Sequence, residues 1–180
     1  KYQKKCKIVG DLMADIKDDD QYALEMKKEK WIAILPGSKR TKLSIGIPFF
    51  LEMADHISSV SSDIKLMIPI APTTNIKDFL YYQSNKNPLA KNYSSKIKCI
   101  KKLEGSIFHY ELHTEKNTKI YLISSSPAYQ ILRQCELAIT TVGANTAELA
   151  AINLPMIVVL PTQHLNLMNS WDGIFGIIGK

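Results

Sequence analysis

The segment Trp31-Ile32-Ala33-Ile34-Leu35-Pro36-Gly37-Ser38-Lys39-Arg40 decides the fold. Its apolar half reads as a buried strand, and Pro36-Gly37-Ser38 as the turn that ends it. A pattern with helical spacing follows, in which Phe49, Phe50, Met53, Ala54 and Ile57 share one face and Pro48 takes a first-turn position. Strand, glycine turn and helix in this order open a βαβ unit. Ile64–Ala71 supplies its second strand, Pro72-Thr73-Thr74-Asn75 a turn, and Ile76–Tyr82 another helix.

Further along, the same alternation returns: strand Lys119–Ile123, helix Pro127–Gln134, strand Leu137–Thr140, helix Asn145–Ile152 and strand Met156–Leu160. This spacing predicts an α/β fold with a Rossmann-like parallel sheet, right-handed crossovers and helices on both faces. Between 84 and 118 the signal is poor. Short apolar runs at Ile97–Ile100 and Ile107–Leu112 are separated by Lys-rich stretches, and the region reads as irregular or weakly β. The charged stretch 11–30 reads as a surface segment or linker, with the ordered domain starting at Trp31.

With 180 residues, 46% hydrophobic and 22% charged, the chain suits one globular domain able to bury roughly 70% of its unfolded surface. Its longest apolar runs are far shorter than the ~20 residues that span a bilayer. No secretory segment is evident near the start, so a cytoplasmic location is expected. Cys6, Cys99 and Cys135 are too widely spaced for a zinc knuckle or a disulfide framework, and are expected as reduced thiols. The net charge of +6 suits an anionic ligand, a nucleic acid or an anionic membrane surface. The lysines lack aromatic interleaving and only Arg40 and Arg133 are arginines, which argues against a nucleic-acid partner.

Open parallel sheets bind ligands at the carboxyl ends of their strands. Two strand-to-helix turns there fit an anion. In the first, Gly37 and Ser38 let backbone amides approach closely, with Lys39 and Arg40 adding positive charge. In the second, Thr140-Thr141-Val142-Gly143-Ala144-Asn145-Thr146-Ala147-Glu148 leads through Gly143 into a helix with Asn145 and Thr146 as cap candidates. Glu148, expected in that helix's first turn, can accept from ribose hydroxyls or simply favour the helix dipole.

These stretches resemble the lipid-A-disaccharide synthase family, whose second half carries Pro-Gly-Ser-Arg after a strand and later Gly-x-x-Thr-x-Glu followed by Pro-Met-Val-Val. Here they are Pro36-Gly37-Ser38-Lys39, then Gly143-Ala144-Asn145-Thr146-Ala147-Glu148, then Pro155-Met156-Ile157-Val158-Val159. Val9–Asp15 also looks like that family's segment joining two Rossmann-like domains. Three departures accompany the likeness: Lys39 replaces an arginine, Lys42 an acidic residue, and Ala144 a threonine.

The resemblance implies the C-terminal half of a two-domain GT-B type glycosyltransferase. Residues 1–30 become a linker and interdomain segment, and 31–180 a truncated UDP-sugar-binding domain whose acceptor-binding partner domain is missing. It implies inverting transfer of an N-acylglucosamine unit from UDP to a lipid or lipid-linked sugar acceptor, with peripheral membrane contact. No metal or other cofactor is expected. Gly37, Ser38, Lys39, Arg40, Gly143, Asn145, Thr146 and Glu148 would hold the donor, with Gln163 after the last strand as a further contact. The catalytic base is expected from the missing domain. A UDP-sugar epimerase on the same scaffold and a non-catalytic nucleotide-sugar-binding module stay open as alternatives.

Other features are read as structural. Asp18-Asp19-Asp20 satisfies the D-x-D pattern of metal-dependent transferases but lies in the charged stretch. His109-Tyr110-Glu111-Leu112-His113 echoes H-E-x-x-H with its Glu in the wrong position, on the opposite helical face from the histidines. His164 and Trp171 read as loop and packing residues.

Overall fold

The structure, a computed structural model, describes residues 26, 29–124 and 128–162. Its strands are β1 Lys30–Leu35, β2 Ile64–Pro69, β3 Ile97–Lys102, β4 Tyr110–Thr114, β5 Lys119–Ile123, β6 Leu137–Thr141 and β7 Met156–Val159. They form one seven-stranded sheet in the order β3-β4-β5-β2-β1-β6-β7. Strands β5, β2, β1, β6 and β7 run parallel, while β4 is antiparallel to both its neighbours. The helices are α1 Arg40–Val60, α2 Ile76–Gln83, α3 Tyr129–Leu132 and α4 Ala144–Ala151, with a 3-10 turn at Pro88–Asn92.

Successive residues of a strand point to opposite faces, and both faces of the central strands are covered, while Ile157 and Val158 of the edge strand β7 are exposed. On one, Ile34, Leu66, Ile68, Ile120, Leu122 and Ile139 pack against Leu43, Ile47, Phe50 and Ala54 of α1 and Phe79 of α2. On the other, Trp31, Ala33, Leu35, Met67, Ile123 and Ala138 pack with Ile131 and Leu132 of α3 and Leu149 of α4. Two apolar faces explain why the parallel strands read as unbroken apolar runs. Met26 is also buried in the second core, so packing reaches back into the stretch expected to be linker.

Three expectations need correction. The region 84–118 is regular: β3 and β4 extend the sheet with an antiparallel edge, pairing Cys99 with His113 and Lys101 with Glu111. Lys98, Lys101 and Lys102 sit on the outer strand, where charge discourages pairing with another chain. The first helix begins at Arg40, so Pro48 is inside it rather than in its first turn. The missing N–H there leaves the Ser44 carbonyl without its usual partner, and that carbonyl accepts from the Asn87 amide instead. The helix expected over 127–134 shortens to α3, Tyr129–Leu132; Pro127 itself lies outside the described residues.

The His109–His113 segment is largely strand β4, not helix, so Glu111 and His113 share a face and pair with each other. His109 Nδ1 accepts from the Ser124 amide at 3.2 Å. Cys135 is buried and Cys99 half-buried, both as free thiols. Asp18-Asp19-Asp20, Cys6, His164 and Trp171 lie outside the described residues. Among those described, no group of three or more His, Cys, Asp or Glu could hold a metal, and no helix is long and apolar enough to cross a membrane.

Candidate functional site

Adjacent parallel strands β1 and β6 are in register at Leu35 and Thr140. From β1 the chain passes through α1 on one face of the sheet to β2. From β6 it passes through α4 on the other face to β7. The two connections leave in opposite directions, which opens a crevice at the carboxyl ends of these strands. Gly37 follows one strand and Gly143 the other, so a topology set far apart in sequence brings the two glycine turns together.

Each glycine answers a different need. Gly37 has φ +100°, in the left-handed region that favours glycine. Gly143 is extended, with φ 161°, and serves as the N-cap of α4. Its requirement is space, because a Cβ there would lie 2.6 Å from the Lys42 Nζ. Neither Asn145 nor Thr146 caps the helix as expected. The Thr146 hydroxyl instead donates back to the Gly143 carbonyl at 2.7 Å, alongside the Thr146 amide at 3.1 Å.

The helices that start at the crevice begin with no side-chain cap and no acidic residue in the first turn. By contrast α2 is closed at its start by a capping box, in which Asp78 accepts from the Asn75 amide and the Asn75 side chain accepts from the Lys77 amide. Helix N-termini carry free amides and partial positive charge. Leaving them open at the crevice keeps both available to an anion.

Two adjoining cavities occupy this place. A small one of about 80 Å³ is lined by Gly37, Ser38, Lys39, Lys42, Thr141, Gly143, Ala144 and Asn145. A larger one of about 220 Å³ shares Gly37, Ser38 and Asn145 with it and continues along Pro69–Pro72, Ala128, Tyr129, Leu132 and Glu148. The small cavity is ringed by backbone and cationic side chains. The larger offers an apolar floor with one carboxylate and one phenol.

Glu148 lies beyond the first turn of α4, not within it as the sequence suggested, because the helix already starts at Ala144. It faces the larger cavity together with Tyr129. Burial pushes the Tyr129 phenol above its ordinary value, and the Glu148 charge adds to the shift. The phenol therefore stays a neutral hydrogen-bond donor at physiological pH.

Of the sequence-predicted residues, Gly37, Ser38, Lys39, Gly143, Asn145 and Glu148 line these cavities, whereas Arg40 and Thr146 line neither. Gln163 lies outside the described residues. Sequence reasoning missed Lys42 as a lining residue, and also Tyr129 and the Pro69–Pro72 wall. Their sequence signal was position alone: each lies just after a strand or in a first helical turn on the crevice side. A third cavity, about 560 Å³, runs along α1 by Phe49, Asp55, His56 and Tyr93. None of the predicted site residues that are described lines it.

No known protein-family profile matches the chain. It is 22% identical over 144 residues to a lipid-A-disaccharide synthase of Nitrosococcus oceani, an alignment covering 80% of this chain and 28% of that protein. It is 26% identical over 95 residues to a lipid-A-disaccharide synthase of Aeromonas hydrophila, covering 49% and 25%. The chain thus spans about a quarter of the length of the curated relatives it matches. Among solved structures it is similar to a Listeria monocytogenes protein assigned as a UDP-N-acetylglucosamine 2-epimerase, at 15% identity and TM-score 0.48, covering 87% of this chain and 35% of that one. It is also similar to a trehalose-6-phosphate synthase, at 16% identity and TM-score 0.46, covering 82% and 33%. The chain is a divergent relative of the lipid-A-disaccharide synthases.

Proposed function

We propose that this divergent relative of the lipid-A-disaccharide synthases is the donor-binding part of a UDP-sugar-dependent glycosyltransferase. In this reading it holds UDP while an N-acylglucosamine unit passes, with inversion, to a lipid-linked acceptor. The observation that carries the reading is the pair of uncapped helix N-termini, α1 and α4, meeting at one crevice beside Gly37 and Gly143.

Breaking the sugar–phosphate bond leaves negative charge on the departing UDP. Preorganised backbone donors aimed at such charge contribute about 3 kcal/mol each in enzymes where one has been removed. Amides at Ser38 and around Ala144–Asn145 fill that role, with Lys39 nearby, and need no metal to do so. Glu148 accepts from ribose hydroxyls, and the apolar wall of Pro69–Pro72 with Tyr129 receives the base. Acceptor activation is assigned to no residue of this chain. A basic chain, +6 overall, would meet its lipid acceptor at an anionic cytoplasmic membrane surface.

Calorimetric titration with UDP, UDP-N-acetylglucosamine and NAD tests the proposal. The two UDP ligands should bind and NAD should not, and Glu148→Ala should weaken UDP about tenfold, the effect of one lost hydrogen bond to a charged group. Absence of UDP binding at millimolar concentration, or unchanged affinity after Glu148→Ala, would sink the assignment.

A further inference from the structure

Lys42 occupies the third position of α1, in the first turn, where a helix ordinarily favours negative charge. Its stem lies against the first glycine turn: a Cβ on Gly37 would come within 2.9 Å of the Lys42 Cβ. Its tip reaches the second turn. The Nζ donates to the Val142 carbonyl at 2.7 Å, across 100 residues of sequence, and sits where a Gly143 Cβ would intrude at 2.6 Å. One side chain therefore spans the gap between the two turns, and the absent Cβ of each glycine makes room for it.

We propose that Lys42 is a binding residue for the diphosphate of a nucleoside-diphosphate ligand, held in place before that ligand arrives. This rests on the donor-site reading above and adds the group that neutralises the ligand's charge. An ammonium has three N–H donors, and the Val142 carbonyl takes one. The remaining two are available to the 80 Å³ cavity that Lys42 lines with Ser38, Gly143 and Asn145.

Among the described residues, no carboxylate lines that cavity. Two positive helix ends and the side chains of Lys39 and Lys42 thus meet at one small space. Such an arrangement is self-repelling when empty and is relieved by an anion of more than one charge. A monoanion would satisfy it less well than a diphosphate. The bond to Val142 fixes the ammonium in advance, so less side-chain freedom is lost on binding.

The test is titration of the chain with UDP and UMP at low and high salt, in wild type, Lys42→Met and Lys42→Gln. Lys42→Met removes the charge and the bond to Val142. Lys42→Gln removes the charge and keeps a donor near that carbonyl, which guards against a merely structural effect. Both should weaken UDP at least tenfold, weaken UMP much less, and flatten the dependence of UDP affinity on salt. The proposal is overturned if UDP affinity is unchanged in both variants while wild type binds UDP, which leaves the donor reading intact. It is equally overturned if Lys42→Gln restores wild-type affinity, or if UDP and UMP weaken alike. If wild type binds no UDP, the donor reading fails and this inference fails with it.

Discussion

The Asn87 side-chain amide donates to the Ser44 carbonyl at 2.7 Å, over the turn of α1 where Pro48 has no N–H to offer. The same amide donates to the Tyr82 carbonyl at 2.5 Å. The Asn87 oxygen accepts from the Leu89 amide at 3.3 Å. A buried asparagine thereby satisfies the carbonyl that Pro48 leaves open, 43 residues away at Ser44, and ties α1 to the end of α2.

Asn87→Ala should therefore be costly even though it removes no apolar core. It strands two carbonyls, and leaving a polar group buried and unsatisfied costs about 1–3 kcal/mol. A loss of about 2 kcal/mol or more is expected in the unfolding free energy measured by urea denaturation. Adding Pro48→Ala should recover part of it, because the restored N–H gives the Ser44 carbonyl a helical partner. A neutral Asn87→Ala would mean the bridge carries no stability.

Alkali should unfold the protein earlier than its acidic groups suggest. Burial pushes the Cys135 thiol from 9.0 up to about 12, and burial likewise raises the phenols of Tyr82, Tyr121 and Tyr129 above 10.0. In each case the folded state holds a proton that the unfolded chain gives up first. Stability from these groups is complete below pH 9 and is lost as pH rises through the folded values. For Cys135 alone the loss is on the order of 4 kcal/mol across that interval. Denaturation midpoints measured at pH 8 and at successive values above 9 should fall steadily. Cys135→Ala should flatten the first part of the decline, and an unchanged slope would contradict this origin.

The parallel half of the sheet was legible because strands such as Ile32–Leu35 and Leu66–Ile68 are buried on both faces and leave unbroken apolar runs. The edge strand β3 and its neighbour β4 were not, since Lys98, Lys101 and Lys102 break the pattern in β3 and the pairing is made by backbone groups. The glycine turns could be read as local motifs, but what completes them could not. Lys42 looked like a departure from a family pattern. Its position at the crevice depends on β6 lying beside β1, which no spacing within α1 reveals. The caps failed for a related reason: Thr146 bonds back to Gly143 because the chain enters α4 extended, not through a side-chain cap.

Gly46 offers a sharp test of how α1 meets the first turn. It is buried inside the helix, where replacing glycine by alanine ordinarily stabilises by about 1 kcal/mol. Here a Cβ would stand 2.5 Å from the Pro36 carbonyl oxygen and 3.1 Å from the Pro36 Cβ. The nearest obstacle is backbone, so it cannot swing aside as a flexible side chain would. Pro36 also precedes Gly37, whose left-handed conformation sets the approach to the crevice. Gly46→Ala should thus destabilise by about 1–3 kcal/mol, the usual range for overpacking. It should also weaken UDP in the folded fraction, because relief requires α1 and the Pro36-Gly37 turn to separate. Urea denaturation and UDP titration of the same variant check both halves. A gain in stability near the helix-propensity value would show that the turn and the helix are free to part.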